Sequence, residues 1–169
     1  MKHASRMVLT LFLGFAAGFM PLKAKAATDD DKKFLEMAAQ SDQNEIALAK
    51  LAEEKATNPA VKAFAQKMIT EHTKVSASMK PCAESWGLSA SSGPDADTQK
   101  EFDKLNGLSG DDFDKEYMSQ MVSDHSKALD AFTSEAKDTK DVKLRTAVLQ
   151  GKTMVAAHKN MAYDLKKKL

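Results

Sequence analysis

Apolar residues recur every three or four positions along most of the chain, and four long stretches carry the pattern. The first holds Phe34, Leu35, Ala38, Ala39, Ile46, Leu48, Ala49, Leu51 and Ala52, the spacing of one buried helix face. It opens among Asp29, Asp30 and Asp31, whose charge suits a helix N-terminus. The second carries Val61, Phe64, Met68, Val75 and Met79 and runs from Asn58-Pro59 to about Trp86, where Gly87 can end it. Asn followed by Pro is an N-cap with proline at the first helical position. The third, to about Lys137, places Phe113, Tyr117, Met121, Ala128 and Phe132 on one face, after a Ser109–Asp112 pair that resembles a capping box. The fourth, capped by Asp138 or Thr139, carries Val142, Leu144, Ala147, Val148, Met154, Val155, Met161 and Leu165. Its basic end, Lys166-Lys167-Lys168, favours the helix dipole.

Helices of about 26 residues would each be about 39 Å long. The first and third connections are tight and give antiparallel neighbours. The middle one, from Leu88 to Gly110, is long, with a loop at Ser89–Pro94 and a short helical turn around Phe102 and Leu105. A link of that length can run the whole bundle, the crossover of ferritin-like folds. The pattern therefore predicts an all-α, ferritin-like four-helix bundle with a long connection between helices 2 and 3. An all-antiparallel bundle with a free middle loop is the alternative.

Residues 1–26 depart from this pattern. Lys2 and Arg6 precede an apolar run from Met7 to Met20, interrupted only by Thr10, and Ala24-Lys25-Ala26 follows Pro21. That order is the one signal peptidase reads, and the run is short for a membrane span, which takes about 20 apolar residues. A cleaved signal peptide at 1–26 and one helical domain at 27–169 are expected, periplasmic or secreted, with no stable membrane anchor after cleavage. Cleavage would remove Lys2, Arg6, Lys23 and Lys25 but no acidic residue, taking the net charge from +1 to −3. A net negative domain speaks against nucleic acid as a partner. The single cysteine, Cys82, cannot close an internal disulfide, so it is buried, free, or paired between chains in a dimer. No protein partner is specified.

Every histidine of the expected mature chain falls in one repeated unit: Met68-Ile-Thr-Glu-His72, Met121-Val-Ser-Asp-His125 and Met154-Val-Ala-Ala-His158. Residues four apart share a helix face, so each imidazole follows its methionine into the apolar stripe. Three inward imidazoles from three helices can meet, and neutral imidazole is a ligand for zinc, copper and iron. Glu45, among Ser41, Leu48, Ala49 and Ala52, would add a carboxylate from the first helix. The candidate metal ligands are therefore His72, His125, His158 and Glu45, for a divalent transition metal. Glu71, Asp124, Asp42 and Tyr117 are candidates to support them from behind. A buried His–carboxylate network that fixes helix register, with no metal, fits the same pattern.

Several blocks resemble a known family: Phe34-Leu35 with Ala38-Ala39, Glu45 through Ala52, Asn58 through Lys62, Glu71-His72-Thr73-Lys74, and Phe113 through Tyr117 with Met121 through His125. Over nearly all of the expected mature chain the sequence is similar to the domain of unknown function 4142 family, exported bacterial proteins of the ferritin-like class. The resemblance implies a four-helix domain in the periplasm or outside the cell and brings no agreed activity. Di-iron ferritins carry Glu three residues before His on two helices. Here those positions are Ile69, Val122 and Val155, which speaks against di-iron chemistry. No Gly-rich phosphate loop or serine nucleophile elbow stands out, so an enzyme is the last reading. Two functions stay open: an exported metal binder linked to envelope or stress tolerance, and a non-catalytic structural or partner-binding module.

Overall fold

A computed structural model describes residues 28–89 and 92–169, and in it the side chain of Cys82 is not described. The expected signal segment, 1–26, lies outside these residues. Among the described residues there are five helices and no strand: α1 (Asp29–Lys55), α2 (Pro59–Ser85), α3 (Ala96–Asn106), α4 (Gly110–Asp138) and α5 (Val142–Lys166). The short turn expected around Phe102 and Leu105 is a helix of 11 residues.

Local chemistry explains the boundaries. Thr28 and Asp31 form a reciprocal capping box at the start of α1. Asn58 caps α2 ahead of Pro59. At its far end, Leu88 N–H donates to the Ala83 carbonyl and Gly87 N–H to that of Glu84. Gly87 adopts φ +73° there, the left-handed conformation of a Schellman stop. The helix continues through Pro81, which supplies no N–H to the ladder. Two caps differ from expectation. Ser109 stands at the N-cap of α4 but makes no side-chain cap bond, and Gly110 follows it at φ +58°. Asp141, not Asp138 or Thr139, caps α5 by accepting from Leu144 N–H, while the Thr139 hydroxyl accepts from Asp141 N–H.

The tight links 56–58 and 139–141 make α1–α2 and α4–α5 antiparallel hairpins. Asp114, near the start of α4, accepts hydrogen bonds from Thr57 N–H, the Thr57 hydroxyl and Asn58 N–H. That carboxylate ties the start of α4 to the turn where α1 ends and α2 begins. The crossover lies along α1. Asn44 donates to Asp95 and Gln40 to the Gly93 carbonyl, and farther up Lys55 meets Asn106. It thus carries the chain back along the bundle, and α2 and α4 run in the same direction.

The apolar interior is in two parts. The upper core gathers Leu48, Ala52, Val61, Phe64, Met68, Phe113, Tyr117, Met118, Met121 and Ala162 among others. The lower core is Phe34, Leu35, Ala38, Phe132, Leu144, Val148 and Val155. Phe34 and Phe132 meet edge to face at 5.0 Å, and a Cβ on Gly151 would come within 2.3 Å of the Phe132 ring. Glycine there lets α5 close on α4. Between the two cores, at one level on four helices, sit Asp42, Glu45, His72, His125 and His158, all buried. A polar layer in that position costs stability unless its groups are paired.

Candidate metal centre

Each imidazole of the layer is held by one nitrogen. The Nδ1–H of His72 (α2) donates to Asp42 Oδ1 of α1 at 2.8 Å. The Nδ1–H of His125 (α4) donates to the Met121 carbonyl at 2.9 Å, one turn back on its own helix. The Nε2–H of His158 (α5) donates to Glu71 Oε2 of α2 at 2.5 Å. Lys67, one turn before Glu71, pairs with the same carboxylate. These acceptors fix the tautomers, because the nitrogen that donates must carry the proton.

In the neutral rings the opposite nitrogens are then bare lone pairs. His72 Nε2, His125 Nε2 and His158 Nδ1 are buried and have no hydrogen-bond partner among the described residues. One ligand nitrogen from each histidine lies within 4.8 Å of the others, and the ring centroids are 5.3 to 5.7 Å apart. Three unsatisfied acceptors on rings this close together leave hydrogen-bonding capacity that no group among the described residues fills. A cavity of about 20 Å³ borders Asp42, Glu45, His72 and His125, room for about one water-sized atom.

The other predicted residues fall into separate places. Glu45 is buried, with Oε1 3.7 Å from His125 Nδ1 and Oε2 without a partner; it borders the cavity but is outside the 4.8 Å group. Asp42 and Glu71 each accept from a histidine of the triad, as described. Asp124 accepts from Gln120 and pairs with Lys127, so it reaches the layer through its field and not through a bond. Tyr117 is in the upper core, stacked on Phe113, with its hydroxyl unpaired. The Met121 carbonyl is the one support that side-chain patterns could not reveal. The Glu71–His158 bond had a faint signal, since Glu71 sits about 100° round α2 from His72 and so faces a different neighbour.

Burial sets the charges. It pushes His125 down to about 4, helped by the nearby His72, and pushes His158 down to about 4 against the pull of Glu71. Both are neutral near pH 7, as a ligand must be. Burial also opposes charge on His72, but the Asp42 hydrogen bond and the charges of Glu45, Asp42 and Glu71 outweigh it and raise its pKa. Burial raises Glu45 to about 7, against the attraction of His72. The layer can therefore hold a proton on His72 or Glu45 when no cation is near.

Known structures share this architecture. A DUF305 fragment from Deinococcus radiodurans superposes with a TM-score of 0.75 at 13% identity, covering 86% of this chain and 100% of the fragment. CopM in its Cu(I)-bound form gives 0.70 at 21% identity, covering 85% and 98%. A putative secreted DUF305 protein from Streptomyces coelicolor gives 0.70 at 14%, covering 80% and 89%. Identities this low carry the fold alone. No curated protein matches the sequence. Residues 19–165, which include all four long helices nearly end to end, match the family described as Domain of unknown function (DUF4142), and the chain belongs to that family.

Proposed function

We propose that this protein is an exported, ferritin-like helical domain that binds a single transition-metal ion at His72, His125 and His158, and that it serves metal or stress tolerance in the cell envelope. The observation that carries the reading is a set of three buried imidazoles, each with a ring nitrogen that finds no partner among the described residues and each offering a nitrogen within 4.8 Å of the others. Their opposite nitrogens are already engaged by Asp42, Met121 and Glu71, the outer support that orients imidazole ligands in metal sites. The donor set fits a borderline or soft ion. Three imidazoles suit copper, zinc or iron, and copper(II) heads the affinity order for such ligands. CopM, which shares the fold, has Cu(I)-, Cu(II)- and Ag-bound forms, and this favours copper. Glu45 would supply a further oxygen or balance the ion's charge. Bound there, the ion would be sequestered from solvent by two apolar cores.

Export is supported by the Lys2–Ala26 pattern and by the secreted description of the Streptomyces coelicolor protein. Among the described residues no helix is long and apolar enough to cross a membrane. The test is elemental analysis of the chain purified from residue 27, after exposure to copper, zinc and iron salts and gel filtration. One equivalent of copper, lost in the triple variant His72→Ala/His125→Ala/His158→Ala, is expected. Equal metal content in the two proteins would overturn the reading.

A second reading rests on the Asp42–His72 and Glu71–His158 bonds, which pin α1 to α2 and α2 to α5. In that reading the layer only fixes register, and the triple substitution lowers the melting temperature of metal-free protein without any metal effect on the parent.

A further inference from the structure

A second recess opens on the outside of the bundle, between α1, α3 and α4. It measures about 410 Å³, and its walls include Asn44, Glu45, Asp95, Asp97, Glu101, Asp124 and Lys127. Five of those seven residues are carboxylates and one is a cation. Glu45 is common to this recess and to the small inner cavity, as are Ser41 and Ala128. It is only 4% exposed and its Oε2 has no hydrogen-bond partner among the described residues. A buried, unpaired carboxylate oxygen thus stands in the wall between an acidic outer recess and the histidines.

We infer that this recess is the loading route of the metal centre: Asp97, Glu101 and Asp124 gather a hydrated cation from solvent, and Glu45 passes it inward to His72, His125 and His158. The inference rests on the metal-binding reading given above. It assigns a purpose to the crossover, because α3 supplies the outer wall of the recess while making no hydrogen bond to any histidine. Crowding of like charge is already felt there: burial, then the charges of Asp124 and Glu45, raise the carboxyl of Glu101, and an incoming cation would relieve that repulsion. Converging charges of one sign in a low-dielectric recess speed association of the opposite sign by about 10- to 1000-fold, and salt weakens the effect. Lys127, paired with Asp124 at 3.3 Å, works against loading and acts as a brake.

Stopped-flow mixing of the metal-free protein with Cu(II), followed by its charge-transfer absorption, separates rate from affinity. In the parent protein the association rate should fall steeply between about 10 and 500 mM NaCl, as screening predicts. Asp97→Asn/Glu101→Gln should slow association about 10-fold at low salt and leave the equilibrium copper content unchanged. Lys127→Gln should quicken it, an effect that mere loosening of the fold would not give. A rate in the parent that ignores salt, or rates in both variants equal to the parent's, would overturn the loading route while metal binding stands. If the parent binds no copper at all, the metal reading falls and takes the route with it.

Discussion

Two of the clusters in which the bundle buries ionisable groups solve the problem differently. At the lower end, Asp31 of α1 faces Glu135 of α4. Asp31 is held ionised, against its burial, by the backbone and hydroxyl of Thr28, the Thr139 hydroxyl and Glu135. Glu135 is pushed up to about 7 by burial and by its bond to Asp31, so below that pH it keeps a proton that it can share with its neighbour. Caps, hydroxyls and one shared proton account for most of that cluster. The central layer uses Asp42, Glu71 and the Met121 carbonyl in the same way, yet each only engages the outer nitrogen of a histidine. The three remaining nitrogens find no hydrogen-bond partner among the described residues. The lesson is that burial and shifted titration occur in both clusters, while convergent unpaired donors of metal-ligand type occur in one.

The largest expected effect follows directly. Copper at about 100 times its Kd should stabilise the parent by about 3 kcal/mol, read as a rise in urea midpoint. The triple histidine variant should show no rise, and Glu135→Gln should keep all of it. A copper response that depended on Glu135 and not on the histidines would reverse the comparison.

Next comes the support behind the ligands. Asp42→Asn leaves all three histidines in place but weakens the acceptor of His72 Nδ1–H. Copper affinity should fall about 10- to 100-fold, the usual cost of losing such a partner, as measured by competition with a chelator. The matching change at the lower end, Asp31→Asn, should leave affinity alone.

Acid separates the buried histidines from the buried carboxyls by sign. His125 and His158 titrate near 4 in the fold against an ordinary 6.5, so the unfolded chain binds more protons between those values. Their contribution is present above about 6.5 and is lost as pH falls through 4, at most about 3 kcal/mol each. Glu45 and Glu135 act the other way. Their folded values near 7 make the fold bind more protons than the unfolded chain, a stabilisation present below about 4.5 and lost as pH rises through 7. In metal-free protein the two trends offset between pH 4.5 and 6.5. Denaturation of His125→Gln/His158→Gln against the parent at pH 7 and pH 4 should expose the histidine part as a smaller drop in the variant.

The smallest effect belongs to the lower cluster alone. Glu135→Gln removes the cost of ionising a buried carboxyl, so its stability relative to the parent should be higher at pH 8 than at pH 5. A constant difference across that range would mean that Glu135 is ionised throughout and that the shared proton does not exist.

Much of this was legible in the sequence, though unevenly. Apolar spacing gave the four long helices to within a few residues, because the 3.6 period of a packed face is written in residue type. Asn58-Pro59 and Gly87 marked their ends for local steric reasons. Ser109 marked the N-cap of α4, although its side chain makes no cap bond there, and Asp138 misled because Asp141, three residues on, is the side chain that reaches Leu144 N–H. The inward direction of His72, His125 and His158 followed from their distance to Met68, Met121 and Met154 on each helix. Which carboxylate met which histidine did not. Asp42 and Glu45 are three residues apart on the same face of α1, and only the axial level of α2 against α1 selects Asp42 for His72.

By itself the sequence determined that the chain is helical, where its helices begin to bury a face, and that each histidine enters the interior. Local periodicity and propensity suffice for that, since they act within a few turns. Only the tertiary structure decided that the histidines stand at one height, that one nitrogen of each is spent on a named acceptor, and that α3 walls an acidic recess beside Glu45. Apart from the His125–Met121 bond, which is made within one turn, those facts depend on the register between helices and on the path of the crossover, set by packing between segments 30 or more positions apart.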